Sequence, residues 1–182
     1  MGTETGRPRH DVTASSGPTG QIGQLMREEV RVTFLMNVAD LLGGVKVLRL
    51  GSKKALEGPL AAHELILRRL PMVSLVHLID HLRSIGKEEA LETVGMSVRT
   101  YQRRRDAPQK LLTSDLTGRI WEFAEILGKA KEVFGSQEDA EQWLERPATG
   151  LNQQRPIDLM KTIAGAQVVK QFLERVDYGV YT

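Results

Sequence analysis

Glu89-Ala90-Leu91-Glu92-Thr93-Val94-Gly95-Met96-Ser97-Val98-Arg99-Thr100-Tyr101-Gln102-Arg103-Arg104 is the stretch on which the reading of this chain turns. It predicts two short helices, Lys87 to Val94 and Val98 to Arg105, joined by a tight turn. Ala90 is small where two helices must cross closely. Gly95 can take the positive φ that ends one helix and reverses the chain. Met96 is apolar and suited to the space between the helices, and Ser97 can accept the early N–H groups of the second helix. If Tyr101 faces inward, Val98, Arg99, Gln102 and Arg103 face outward. A second helix presented in this way fits the major groove of DNA. Arg99 and Arg103, four residues apart, share one face and suit guanine edges or phosphates. Arg104, Arg105 and Lys110 suit phosphates. The candidate DNA-binding set is therefore Ser97, Val98, Arg99, Thr100, Gln102, Arg103, Arg104, Arg105 and Lys110. The competing reading is a plain corner between two helices, with its arginines merely solvated. Arg104 is a departure, because that position is usually apolar in such helices.

Charge supports the first reading. Arg99, Arg103, Arg104, Arg105 and Lys110 stand against Asp106 alone, while the whole chain of 182 residues carries only +2. The rest is thus net negative, and a local cationic patch on such a chain points to a localised anionic partner. With about four phosphates neutralised per subunit, the log–log salt slope of affinity would be about −3.6 per subunit. Aromatic residues make up only 5% of the chain, so its cores must be built from aliphatic side chains, which favours helices packed on helices. There is no cysteine, which excludes disulfides, thiolate metal sites and a cysteine nucleophile. No apolar run approaches the roughly 20 residues of a membrane span, and the first 20 residues lack a secretory core. A cytoplasmic protein is expected.

Working outward, residues 1–20 are rich in Gly, Pro, Ser and Thr and read as a disordered arm. Val30, Phe34, Val38 and Leu41 recur at helical spacing and stop at Gly43-Gly44, although Val30 to Leu35 also partly alternates and leaves a strand open. Val45 to Leu50 alternates as well. Leu60 to Leu70 reads as a helix stopped by Pro71, followed by the stripe Leu75, Leu78, Ile79 and Leu82. Thr113 and Asp115 open a long helix with Leu116, Ile120, Phe123, Leu127, Ala130 and Phe134 on one face, closed by Gly135. Ser136 with Asp139 is an acidic form of the capping box, and Pro156 suits the first position of a helix over Ile157 to Ala164. Val169, Phe172, Leu173 and Val176 form the last stripe, and Gly179 releases a tail.

The residues for enzymatic chemistry do not assemble. His77, Asp80 and His81 mimic an inverted zinc-protease motif, but the neighbouring leucines mark the opposite face as buried and no third ligand follows. Gly51-Ser52-Lys53-Lys54 lacks the phosphate-loop spacing. No catalytic residue, metal or cofactor is expected.

The C-terminal third resembles a known family. Ala130-Lys131-Glu132-Val133-Phe134-Gly135, Ala140-Glu141-Gln142-Trp143-Leu144, Pro147, Leu151, Pro156-Ile157-Asp158-Leu159, Thr162, Gly165, Val168, Leu173 and Tyr178-Gly179-Val180-Tyr181 carry the likeness. Their order and spacing resemble the toxin-binding domain of Xre/MbcA/ParS-type antitoxins. Weaker similarity extends upstream through Arg119, Leu112-Thr113, the helix-turn-helix, Leu70-Pro71 and Leu42-Gly43-Gly44. At Leu151-Asn152-Gln153 the chain departs, since relatives often carry Gly after the Leu. The resemblance implies an all-α protein that binds operator DNA to repress its own operon. It also implies a toxin partner of the RES-domain, ADP-ribosyltransferase-like type that uses NAD, with assembly as a homodimer or a larger complex with the toxin. In the family the C-terminal end reaches the toxin's active-site pocket, which points here to Tyr178, Gly179, Val180, Tyr181 and Thr182. Tyr is a good interface anchor.

The expected organisation is an arm (1–20), an N-terminal helical domain with the helix-turn-helix (21–127), and a small C-terminal toxin-binding domain (128–182), with one long helix joining the two. Trp143 and Phe134 are expected to anchor the small core. The alternative is a stand-alone transcriptional regulator whose C-terminal helices only dimerise it.

Overall fold

A computed structural model describes residues 18–177 and 179, apart from residues 52, 58 and 59. Among them the chain is helical throughout, without a strand. In order come α1 (Pro18–Leu41), α2 (Gly44–Val47), a 3-10 turn (Lys53–Leu56), α3 (Ala61–Arg68), α4 (Met72–His81), α5 (Lys87–Thr93) and α6 (Val98–Arg105). Then follow α7 (Ser114–Phe134), α8 (Gln137–Glu145), a 3-10 turn (Thr149–Leu151), α9 (Pro156–Leu159) and α10 (Ile163–Asp177). No helix among the described residues is long and apolar enough to cross a membrane.

Of the two readings open for Val30 to Leu35, the helix is the one found: the stretch lies within α1, which buries Leu35, Val38 and Ala39, with Leu42 buried just past its end. Val45 to Leu50 opens as a single helical turn, α2. The first helix also begins at Pro18, inside the arm expected over 1–20.

The long helix α7 organises the molecule. Thr113 caps it, its Oγ1 accepting the Leu116 N–H at 3.3 Å, and Gly135 closes it at φ 88°. Ile120, Trp121, Phe123, Ala124, Ile126, Leu127 and Ala130 are all buried, so the apolar surface runs nearly around the helix instead of along one face. A helix apolar all round lies inside a core. Here α1, α3, α8 and α10 all pack against it. The division expected after residue 127 falls within α7, and the buried residues form one continuous cluster from Leu35 to Leu173. At roughly 2 kcal/mol for each large apolar side chain removed from water, this shared helix ties the two halves together.

Polar contacts reinforce that packing. Lys170 of α10 reaches Glu125 at 2.9 Å and Glu122 at 3.3 Å on α7. Burial opposes the charge on this amine, but the two carboxylates outweigh it and hold the Lys170 pKa above the ordinary lysine value.

The helix expected over Ile157 to Ala164 is two helices, with a break at residues 160–162. Pro156 starts α9 as expected. Thr162 then takes the capping role for α10, its Oγ1 accepting the Gly165 N–H at 3.1 Å. Gly165 lies so close to the end of α9 that a Cβ would sit 2.1 Å from the Leu159 carbonyl oxygen.

Candidate functional site

The turn between α5 and α6 is built as its residues suggest. The Gly95 N–H donates to the Glu92 carbonyl at 2.9 Å and the Met96 N–H to the Leu91 carbonyl at 2.8 Å. These bonds need the left-handed backbone that Gly95 adopts at φ 78°. A Cβ there would also crowd Arg119 Nη1 at 3.2 Å. Ser97 caps α6 by accepting the Thr100 N–H at 3.2 Å. Ala90, Leu91, Val94 and Met96 are buried, and Tyr101 is fully enclosed. Burial, with help from Asp80, pushes the Tyr101 phenol above its usual pKa, while Arg105 opposes. Lys87 Nζ stands 4.4 Å from the centre of its ring.

Locking Tyr101 inward sets the outer face of α6. Arg99, Gln102, Arg103 and Arg105 are exposed, and Arg104 is half-buried. No ion pair among the described residues neutralises any of these four arginines. Val98 and Thr100 are half-buried, and the Thr100 hydroxyl receives the Ser97 O–H at 2.9 Å. Ser97 and Thr100 therefore serve the cap, leaving Arg99, Gln102 and Arg103 as the accessible face. Lys110 is exposed in the following loop. That loop is laced to the start of α4: the Val73 N–H donates to the Pro108 carbonyl at 2.8 Å and the Met72 N–H to the Lys110 carbonyl at 2.9 Å.

The second candidate surface lies on the C-terminal helices. Ser136 Oγ accepts the Asp139 N–H at 3.1 Å and so starts α8. Phe134, Trp143 and Phe172 form a run of rings with centroids 5.1 and 5.6 Å apart. Phe134 and Trp143 are half-buried and pack on the outside of the core, while Phe172 is buried. At Leu151-Asn152-Gln153 the departure from the glycine-bearing pattern is met by two left-handed residues, Asn152 at φ 54° and Gln153 at φ 60°. Asn accepts that conformation more readily than Gln does. The last helix ends at Asp177, whose carboxylate takes Lys129 Nζ at 2.7 Å. Gly179 sits just beyond, at φ 67°, its N–H donating to the Val176 carbonyl at 3.0 Å. Tyr178, Val180, Tyr181 and Thr182 lie outside the described residues.

The joint between the two surfaces was not visible in the sequence. Glu141 of α8 is completely buried, and its Oε2 accepts the backbone N–H groups of Arg83, Ser84 and Ile85 at 2.7, 2.6 and 3.1 Å. Gln137 Nε2 donates both to Glu141 Oε1 and to the His81 carbonyl, each at 2.7 Å. Arg155 pairs with Glu89 of α5 and donates from Nε to the Glu145 carbonyl at 2.9 Å. Lys161 reaches Glu92, also on α5, at 3.3 Å. The helix entering the turn is thus held by two groups of the C-terminal module, and the loop before it by a third. Burial, then the nearby Glu89, holds the Glu145 carboxyl above its ordinary pKa.

His77 and His81 do sit together, stacked at 3.9 Å, with His81 Nδ1 at 2.7 Å from the His77 carbonyl. No group of metal-binding side chains assembles among the described residues.

A capped turn with an unneutralised cationic second helix, packed against a small C-terminal helical module through a shared core, defines a helix-turn-helix protein. Residues 61–125 match the family described as the antitoxin Xre-like helix-turn-helix domain. Residues 129–179 match the antitoxin Xre/MbcA/ParS C-terminal toxin-binding domain. An antitoxin Xre from Photorhabdus laumondii is 31% identical over 109 residues, covering 59% of this chain and 73% of that protein. An antitoxin Xre from Yersinia enterocolitica serotype O:8 is 30% identical over 111 residues, or 60% of this chain and 74% of that protein. The chain belongs to the Xre/MbcA/ParS family of antitoxins.

Proposed function

We propose that this antitoxin binds the operator of its own operon through α6 and blocks a RES-domain toxin that uses NAD with the segment from Tyr178 to Thr182. On this reading it acts by binding and not by catalysis. One observation carries it: an exposed cationic face on a capped helix-turn-helix, in the same chain as a module matching a toxin-binding family. The DNA contacts fall to Arg99, Gln102 and Arg103 at the base edges, with Arg104, Arg105 and Lys110 on phosphates. Exposed Leu25, Met26 and Val30 on α1 support self-association of the antitoxin, because monomers rarely leave such a cluster in water.

The test pairs two variants in co-expression with the neighbouring reading frame. Deleting residues 178–182 is expected to release growth arrest while leaving operator binding intact. An Arg99→Ala, Arg103→Ala double variant is expected to protect against the toxin yet lose operator binding. Retained neutralisation by the truncation refutes tail blockade. A shortened chain that neither meets a toxin nor changes growth, but still represses, favours a stand-alone regulator.

A further inference from the structure

We propose that Arg49, from the corner after α2, is a further DNA-phosphate contact lying outside the helix-turn-helix. The inference rests on the reading that α6 faces DNA. Its first support is placement. Arg49 Nη2 donates to Gln109 Oε1 at 2.6 Å, a bond joining positions 60 residues apart. Gln109 belongs to the loop that directly follows α6, one residue before Lys110. A recognition helix puts its N-terminal residues at the base edges, so the loop beyond its C-terminal end lies away from the bases, where a cation meets phosphate and not sequence. Gln109 holds the Arg49 guanidinium at that loop, and a neutral amide leaves its charge uncompensated.

The second support is the backbone. Arg49 sits at φ 54°, in the left-handed region where glycine is at ease and a long side chain is not. Strain held at a particular residue is a mark of a functional position. The third support is company. Lys46, one turn earlier, is exposed, and its carbonyl accepts the Arg49 N–H at 3.2 Å. Arg105 and Lys110, exposed as well, flank Gln109 in the sequence, with Asp106 the one acid between them. The cationic surface thus runs from α6 across the loop to the α2 corner. The recognised helix-turn-helix match begins only at residue 61, so Arg49 adds a contact that this part of the family pattern does not contain.

A phosphate contact carries charge but no sequence information, which sets the test. The full chain, wild type and Arg49→Gly, is titrated with a fluorescent duplex of the DNA preceding its own start codon and with a scrambled duplex of equal length, across 50 to 300 mM salt. Glycine removes the charge and relieves the backbone, so the variant is expected to melt no lower than wild type. Its affinity for both duplexes is expected to fall by roughly three- to fivefold at the low-salt end, and the salt slope to shrink by about 0.9. Arg49→Lys is expected to restore most of the slope. An unchanged slope in Arg49→Gly, with wild type binding normally, overturns the assignment of Arg49 alone. A wild-type chain that binds neither duplex overturns the DNA reading itself and this inference with it.

Discussion

Replacing Glu141 by alanine tests how the two surfaces are joined. The carboxylate accepts three backbone N–H groups from the loop that leads into α5, and a hydrogen bond to a charged group contributes roughly 1.5–3 kcal/mol when intact. Arg83 is exposed and Ser84 half-buried, so their N–H groups can turn to water once the carboxylate is gone. Ile85 is only 4% exposed, and its N–H is left without an acceptor at a cost of about 1–3 kcal/mol. Gln137 loses one of its two partners as well. Offsetting these is the recovered cost of burying a carboxylate. A net loss of about 3 kcal/mol follows, which for a chain of this length lowers the melting temperature by roughly 6–12 °C. Glu141→Gln keeps the shape and one acceptor and is expected to lose about half as much. Differential scanning calorimetry at neutral pH reads both. If Glu141→Ala melts within about 2 °C of wild type, the carboxylate is not bonded to the loop and the account of the joint is wrong.

Two further outcomes follow from the C-terminal module. Gly165→Ala puts a methyl against the Leu159 carbonyl and must push α9 and α10 apart. An overpacking loss of about 1–3 kcal/mol and weaker toxin capture in a pull-down are expected, and unchanged stability would falsify the close contact. At alkaline pH, Lys170 has its pKa raised in the folded chain, so its stabilising charge is fully present below the ordinary lysine value of 10.5 and is lost as pH rises through the folded value. Lys170→Met, which leaves Glu122 and Glu125 facing each other, is expected to melt lower than wild type near pH 8. That gap should close as the pH passes above about 10.5; a gap constant to pH 11.5 rules out the charge as its cause.

The features legible in the sequence are those set within a few residues. The caps at Ser97, Thr113 and Ser136, the turn at Gly95 and the helix start at Pro156 each depend on one side chain and its own local backbone, and each is found in the structure. Tyr101 and Met96 were readable for a similar reason, because helical spacing sorts inward from outward. What could not be read depends on partners far along the chain. Trp121 and Ile126 lie off the expected stripe of α7 and are buried because α1, α3, α8 and α10 all pack against that helix. Glu141 sits in an acidic, amphipathic helix where a carboxylate ordinarily faces water. Only the distant loop at residues 83–85 gives it a reason to be buried. The break between α9 and α10 is set by how closely Gly165 approaches Leu159, which no local preference announces.

Because α7 runs unbroken through both halves, and Glu141, Arg155 and Lys161 grip the approach to the turn, the two arms are braced like a bracket. Anything seated on one arm is carried at a set height and angle above the other. Under the proposed function, a toxin seated there would change what fits alongside on the duplex through its bulk and spacing. The distance between neighbouring operator half-sites, counted in turns of DNA, would then decide whether loaded and bare copies can share one stretch.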